Sequence, residues 1–230
     1  NEELEAFAYA VSHDLRAPLR AMSGFSQAIV EDCGPALTET GRAYLHEIDA
    51  ASDRMARLID GLLSLSRATR GELGRDRLDL SRMCEKVRQD LARLDGGREV
   101  AWTIDPGLSV VGDPRLIDLV LQTLLGNAWK FTGRTPDATI EVRASAGAPA
   151  GWVAVCVRDN GAGFDMRHAG KLFQPFQRLH RQEEFPGTGI GLATALRIIQ
   201  RHGGTLGATG RVGGGAAFRF TLPAAEEERS

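Results

Sequence analysis

Apolar residues recur at alternating steps of four and three along the first 31 residues. The positions that share this spacing are Leu4, Ala8, Val11, Leu15, Pro18, Met22, Phe25 and Ile29. A heptad-like seam of this kind predicts a long helix that packs in a bundle. Because Pro18 lies inside the seam, we expect a kink or a local break there. Gly34 and Pro35 are expected to end the helix.

A second periodic stretch follows, and its seam positions are Leu45, Ile48, Ser52, Met55, Ile59 and Leu62, with Leu58 and Leu63 widening the apolar face. Two helices joined by a short turn form a hairpin, and a hairpin with two long apolar seams cannot bury both of its faces alone. Pairing with a second copy gives a four-helix bundle, so we expect a homodimer. Two core helices of some other all-α protein are the alternative interpretation.

The pattern changes after a polar, glycine-bearing stretch at residues 69–76, which we interpret as a linker. Strand-like runs beyond it lie at 77–80, 98–104, 138–144, 152–158, 205–209 and 216–222, and helical runs at 81–94, 114–130 and 189–202. This intermixing predicts an α/β sandwich with helices on one face of a mixed sheet. We therefore expect a helical hairpin at 1–68, the linker, an α/β domain at 77–224 and a solvated tail at 225–230.

Composition removes several classes of function. The net charge of −2 gives no electrostatic reason to expect nucleic-acid or anionic-membrane binding. No apolar run approaches the ~20 residues that span a bilayer, and no signal-peptide pattern is present. Cys33, Cys84 and Cys156 are scattered and form no CxxC pair, so neither a disulfide framework nor a zinc site is predicted. We expect a cytoplasmic fragment of a longer protein.

His13 is the first residue that suggests chemistry. In the heptad frame it falls opposite the seam, so its ring is expected to face away from the bundle core. Asp14 follows it, and a carboxylate that accepts a hydrogen bond from one ring nitrogen makes the other nitrogen more nucleophilic. The alternative is an ordinary solvated surface histidine. The adjacent Asp14 favours the interpretation of His13 as a nucleophile.

Two glycine-bearing segments suggest phosphate binding. Asp159–Gly163 follows an apolar strand, where an ordinary turn is the alternative. Gly187–Leu192 opens a helix, and glycines at a helix start let backbone N–H groups approach an anion. Neither the GxGxxG fingerprint nor the GxxxxGK[ST] loop occurs, so the usual nucleotide-binding folds are disfavoured.

Asn127 and Lys130 form a third candidate, because residues three apart on a helix lie near the same face. An amide oxygen suits Mg²⁺ and a lysine suits phosphate, so the pair favours a metal–phosphate site. The alternative is an ordinary polar face with a lysine that interacts favourably with the helix dipole.

Together these segments resemble the core of sensor histidine kinases. Five segments resemble the conserved boxes of the family and occur in the family order. They are the H box at Phe7–Leu19, the N box at Asn127–Thr132, the first glycine box at Asp159–Gly163, the F box at Phe173–Phe176 and the second glycine box at Gly187–Leu192. They cover nearly the whole chain. The residues around Phe176–His180 and Glu184–Thr188 look most like the phytochrome-type branch.

The resemblance implies a dimeric four-helix bundle followed by a Bergerat-type ATP-binding α/β sandwich. It makes His13 the phosphoacceptor and Asp14 its activating base. Asn127 would hold Mg²⁺ between the ATP phosphates, Lys130 would neutralise phosphate charge, and Asp159 would accept a hydrogen bond from the adenine amino group. The other nucleotide-binding residues that it implies lie in or beside a mobile lid: Gly161, Gly163, Arg178, His180, Gly187, Thr188, Gly189, Gly191 and Leu192. Phe173 and Phe176 would be either contributors or plain lid anchors, and Lys171 is a weaker candidate for the γ-phosphate.

Two positions depart from the family pattern. Thr123 stands where the family usually has Asn, four residues before Asn127, so a metal shell would rely on Asn127 and water. Ala17 stands four residues after His13, where many relatives carry a Thr or Asn that positions the water for dephosphorylation of the partner. We therefore expect weak phosphatase activity.

The expected function is autophosphorylation of His13 from Mg-ATP, followed by transfer to an aspartate of a response-regulator receiver domain. An upstream sensor domain is expected outside this fragment. One alternative is another Bergerat-fold ATPase or serine kinase, which the His13–Asp14 pair disfavours. The other is a degenerate ATP-binding dimeric scaffold, which the presence of Asn127, Lys130 and Asp159 disfavours.

Overall fold

The computed structural model describes the chain except residues 1, 68–70, 96, 181–183, 186 and 226–230 and the side chains of residues 2–14, 16, 62 and 64–67. Its contacts divide the chain into two compact units, Asn1–Arg67 and Ala68–Ser230. No helix in the described part of the chain combines the length and the apolarity needed to cross a membrane.

The first unit is a helical hairpin. Helix α1 spans Glu2–Cys33, a 3₁₀ turn follows at Gly34–Ala36, and helix α2 spans Glu39–Arg67. Thr38 precedes α2, and its Oγ1 accepts a hydrogen bond from the Gly41 backbone N–H at 3.0 Å, which caps the helix start. Helix α1 continues through Pro18, so the local break that we considered does not occur.

The hairpin is closed by a small core of Leu19, Ile59 and Leu63. The Ser26 Oγ donates to the Leu45 carbonyl across the two helices at 3.0 Å. The predicted apolar face of α2 supplies Ile59 and Leu63 to this core, whereas the predicted seam of α1 is wrong at Pro18, which is exposed while its neighbour Leu19 is buried. Predicted seam residues that remain exposed within one chain are Leu15, Met22, Phe25, Ile29, Ile48 and Met55. A broad apolar surface of the hairpin is thus uncovered.

The second unit is an α/β sandwich. Its elements in chain order are β1 Asp76–Asp79, α3 Leu80–Leu94, β2 Ala101–Ile104, β3 Ser109–Gly112, α4 Pro114–Phe131, β4 Thr139–Ser145, β5 Trp152–Asp159, α5 Gly191–Arg201, β6 Leu206–Gly210 and β7 Ala216–Pro223. Five strands form one sheet in the order β2-β4-β5-β7-β6, in which only β2 and β4 run parallel. Strands β1 and β3 form a separate antiparallel pair. The predicted fold class is confirmed.

Alternation along the strands places the core on one face of the sheet. Side chains that meet the helices on this face include Ile140, Val142, Val155, Val157, Phe218 and Phe220, and their helical partners include Leu121, Leu124, Leu125, Ile198 and Ile199. The opposite face carries Glu141, Arg143 and Arg158, which are partly or fully exposed. Helices α3, α4 and α5 therefore cover a single face.

Asp113 and Pro114 begin α4 as the sequence predicted. The Asp113 carboxylate accepts hydrogen bonds from the backbone N–H groups of Arg115 and Leu116 at 3.0 and 3.3 Å. Strand β3 was not predicted, because four residues carry too little pattern alone. Pairing with β1 and complete burial of Val110 stabilise it, and both are tertiary effects.

Candidate nucleotide-binding site

A cavity of about 290 Å³ lies among the last turns of α4, the start of α5 and the segment that joins β5 to α5. Predicted nucleotide-binding residues that line it are Asn127, Lys130, Gly163, Arg178, His180, Gly187, Thr188, Gly189, Gly191 and Leu192. Two predicted residues, Asp159 and Gly161, are not among the lining residues. Thr123 lines the cavity one helical turn before Asn127.

Asn127 and Lys130 contact each other on the last turns of α4. The Lys130 Nζ donates to Asn127 Oδ1 at 3.1 Å and lies 4.2 Å from the centre of the Phe131 ring. Burial, and secondarily the positive charge of Arg178, lowers the pKa of Lys130 to about 8. A cation that is both desolvated and repelled by a second cation gains stability when an anion arrives.

The last turn of α4 is held by bonds to its carbonyl groups. The Phe131 carbonyl accepts from the Ala162 backbone N–H at 3.0 Å. Arg98 donates to the Trp129 carbonyl at 2.5 Å and to Thr132 Oγ1 at 2.7 Å, and its guanidinium lies 4.5 Å from the Trp129 ring centre. Carbonyl groups that a helix end leaves without helical partners are satisfied in this way. Arg98 therefore fixes the turn, whereas the sequence placed it in a strand.

Asp159 ends β5 and is buried. Its carboxylate accepts from the Gly161 backbone N–H at 2.9 Å and also from the backbone of Ala216, which does line the cavity. Burial raises the pKa of Asp159 to about 6. Gly163 follows at φ +61°, and a Cβ there would lie 1.9 Å from the Arg211 carbonyl oxygen, so only glycine fits this close approach.

Three aromatic rings pack together beside the cavity. The His180 ring centre lies 5.1 Å from that of Phe131 and 5.2 Å from that of Phe185, and the two phenylalanine rings are 4.9 Å apart. The His180 Nε2 donates to the Gly163 carbonyl at 2.8 Å, and Arg178 donates to the Phe185 carbonyl at 2.6 Å. Sequence reasoning assigned no role to Phe131 or Phe185. Phe131 follows Lys130 directly within the N box segment, and Phe185 lies within Glu184–Thr188, which the sequence marked only for its likeness to the phytochrome-type branch.

The F box residues differ from each other. Phe173 is half-buried and packs against the main core, as expected of a lid anchor. Phe176 is exposed at φ +65°, and its backbone N–H donates to the Gly189 carbonyl at 3.0 Å. Lys171 is exposed and is not among the lining residues.

The charge of the cavity favours an anion. Lys130 and Arg178 line it, and its described lining includes no Asp or Glu. The α5 N-terminus at Gly191 also faces this space, and a helix start carries partial positive charge. Phe164, Leu172 and Phe218 supply apolar wall. The cavity thus suits a ligand with an apolar ring and several phosphates.

His13 and Asp14 lie in helix α1, but their side chains lie outside the described residues. The expected outward orientation of the His13 ring stays a prediction.

Two family models match the chain. Residues 112–226 match the family described as histidine kinase-, DNA gyrase B- and HSP90-like ATPase, and residues 3–71 match the His Kinase A (phospho-acceptor) domain. This chain belongs to the histidine kinase-, DNA gyrase B- and HSP90-like ATPase family. The match of residues 3–71 to the phosphoacceptor domain confirms the predicted resemblance to sensor histidine kinases.

Curated relatives agree with this membership. Cyanobacterial phytochrome B of Nostoc sp. is 34% identical over 224 residues, which are 96% of this chain and 30% of the relative. The methanogenesis regulatory histidine kinase FilI of Methanothrix harundinacea is 34% identical over 240 residues, which cover 97% of this chain and 25% of the relative. This ATPase-family chain therefore spans only about a quarter to a third of the length of these relatives.

A solved structure shares the fold. Full-length ShkA in complex with AMPPNP has a TM-score of 0.69 and 26% identity, over 96% of this chain and 46% of that one.

Replacement of Asp159 by Asn is predicted to weaken ADP binding roughly 10-fold or more, because the hydrogen bond that the resemblance implies from the adenine amino group would lose its negatively charged acceptor. Wild-type affinity should also fall as pH drops through about 6, where the Asp159 carboxylate takes up its proton. Titration calorimetry from pH 5 to 8 measures both effects.

Asp90→Asn is the matched control, since Asp90 is exposed on α3 and pairs only with its helical neighbour Arg93 among the contacts described. Its affinity should stay within twofold of wild type. The role of Asp159 is wrong if Asp159→Asn keeps both the affinity and the pH dependence of wild type, because the phosphates of ADP titrate identically in all three proteins.

Proposed function

We propose that this chain is the core of a sensor histidine kinase that phosphorylates His13 from Mg-ATP and passes the phosphoryl group to an aspartate of a response-regulator receiver domain. The observation that carries the proposal is a cavity that is lined by Lys130 and Arg178 and, among the described residues, by no Asp or Glu. The same chain also matches a phosphoacceptor domain. ATP as the phosphoryl donor places the reaction in the cytoplasm.

The reaction is an in-line displacement. A ring nitrogen of His13 attacks the γ-phosphorus, the new N–P bond forms, the bond from the γ-phosphorus to the β,γ-bridging oxygen breaks, and ADP leaves. Asp14 accepts a hydrogen bond from the other ring nitrogen and stabilises the positive charge that develops on the ring. Phosphoryl transfer needs positioning and charge neutralisation more than covalent help, and Lys130 and Arg178 supply the charge.

Asn127 is the residue that would hold Mg²⁺. Asn127 lines the cavity, and its amide oxygen is a hard ligand of the kind that Mg²⁺ binds. No group of three His, Cys, Asp or Glu suited to a metal occurs among the described residues, so the other ligands would be phosphate oxygens and water. Bound Mg²⁺ would neutralise charge on the β- and γ-phosphates. Lys130 would then leave Asn127 Oδ1 and donate to phosphate.

The apolar surface of the hairpin supports a homodimer. Met22, Phe25 and Ile29 on α1 and Ile48 and Met55 on α2 are exposed within one chain. A second hairpin would cover them and complete a four-helix bundle.

Incubation with ATP labelled in its γ-phosphate tests the function. Wild type is expected to incorporate label that acid removes and base does not. His13→Gln should incorporate none because the acceptor is lost, and Asn127→Ala should incorporate none because the metal ligand is lost. His46→Gln is the matched control, since His46 is an exposed histidine on α2, and it should label like wild type.

Label that persists in His13→Gln, or an adduct that survives acid and is lost in base, would contradict the proposal. The second result would instead indicate transfer to a serine or threonine, as in the serine-kinase alternative.

Ala17 predicts slow dephosphorylation of the partner. It is exposed on α1, four residues and so about one helical turn after His13, and its side chain has no polar atom to orient water. Ala17→Thr is expected to raise the phosphatase rate roughly 10-fold or more by positioning a water molecule. Release of phosphate from a phosphorylated receiver domain with ADP present measures this rate.

Ala21→Thr, an exposed alanine one turn further along α1, should leave the phosphatase rate unchanged. Rapid ADP-dependent dephosphorylation by the wild type would show that this prediction is wrong.

A further inference from the structure

Two residues of the linker are bound by side chains of the ATP-binding unit. The Arg201 Nη2 donates to the Gly71 carbonyl at 2.7 Å. The Gly74 backbone N–H donates to Asp113 Oδ2 at 3.2 Å. Arg201 is the last residue of α5 and Asp113 is the residue before α4, so both contacts lie where these helices meet the linker.

Asp113 is held rigidly for this contact. Its side chain is buried, and the Arg115 guanidinium donates to it at 3.1 Å. The Asp113 backbone N–H donates to Nε2 of the buried His202 at 3.0 Å, and Nδ1 of that ring donates to the Ile198 carbonyl at 2.8 Å. The residues that bind the linker therefore also join the start of α4 to the end of α5.

The fit to the linker is close at Gly74. A Cβ at this position would lie 3.2 Å from Asp113 Oδ2 and 3.5 Å from Asp113 Cα. Such a distance is tight for a side chain, so the linker backbone lies directly against the carboxylate.

Both helices connect this contact with the nucleotide cavity. Helix α4 has 18 residues and so extends roughly 27 Å from Pro114 to the turn that carries Asn127 and Lys130. Helix α5 runs the other way, from Gly191 on the cavity to Arg201 at the linker. Asp113 and Arg201 are thus remote from the nucleotide, and a change at the linker contact leaves the cavity lining in place.

We propose that Asp113 and Arg201 form a linker-holding site that sets the length of the tether between the ATP-binding unit and the phosphoacceptor hairpin. They are positioning residues for phosphoryl transfer, because neither lines the nucleotide cavity. The proposal rests on the proposed transfer to His13.

The expected effect follows from the length of chain. With the site intact, residues 68–70 separate Arg67 at the end of α2 from the held Gly71. With the site broken, residues 68–75 separate Arg67 from β1. The effective concentration of one tethered unit near the other falls roughly as the −3/2 power of tether length, which predicts a loss of roughly three- to fivefold.

The test is the double variant Gly74→Pro, Arg201→Ala, which removes the Gly74 N–H donor and the Arg201 guanidinium and keeps the Asp113 cap of α4. In the full chain, the autophosphorylation rate at saturating ATP should fall three- to fivefold. The KM for ATP should stay within twofold of wild type. Arg197→Ala, an exposed arginine one turn earlier on α5, is the matched control and should keep the wild-type rate.

A second variant separates tether length from structural damage. Deletion of residues 68–72 in the double variant leaves residues 73–75 as a released tether of the wild-type length, and it should return the rate to within twofold of wild type. The three tryptophans, Trp102, Trp129 and Trp152, all lie in the ATP-binding unit, so their fluorescence during urea unfolding reports whether that unit is intact.

An unchanged rate in the double variant would overturn the linker-holding site, and so would a rate loss that comes with a raised KM, a lower unfolding midpoint or no recovery on deletion. A wild type that never labels His13 would instead overturn the proposed function.

Discussion

The last turn of α4 is the constraint on which the nucleotide site depends. It carries Asn127 and Lys130 on the face that lines the cavity, while its carbonyl groups are bound from the other side by Arg98 and by the backbone of Ala162. A helix end that lacked these partners would fray, since no N–H group of the helix donates to its last carbonyl groups. Because Ala162 lies within the first glycine box, the same hydrogen bond aligns the segment after β5 with Asn127 and Lys130 of α4.

The same helix links this turn to the segment that leads toward the phosphoacceptor hairpin. Asp113 stands before α4 and accepts from Gly74 of the linker, and the end of α5 joins it through His202. A rigid pair of helices between cavity and linker gives the ATP-binding unit a fixed exit point for the chain. In the proposed reaction, control of phosphoryl transfer would then act through geometry, by where His13 is presented, and would leave the binding chemistry of the cavity unchanged.

Much of the fold was predictable from local pattern, because the helix at 114–130 and the strands at 152–158 and 216–222 have strong periodicity and good start signals. Gly163 was implied as a site residue only by the family resemblance, and the structure supplies a steric reason for glycine there, since a Cβ would lie against the Arg211 carbonyl. Phe185 and Arg98 were not, because their roles arise when distant segments meet at Phe131 and Trp129. In the hairpin core, Ile59 and Leu63 were predicted from the apolar face of α2, whereas Leu19 was missed, since it is selected by how the two helices face each other rather than by the period of α1.

Lys130 is the group whose behaviour tests the site most directly. The chain has three lysines, so selective ¹³C labelling at lysine Cε gives three NMR signals, with Lys86 and Lys171 as exposed internal references and Lys130→Arg for assignment. In the free protein we expect the pKa of Lys130 near 8, because the ammonium is buried and lies close to Arg178. Saturating ADP should raise that pKa by at least about one unit, since phosphate stabilises the charged form. A pKa of Lys130 that does not move with nucleotide would contradict its place at the phosphates.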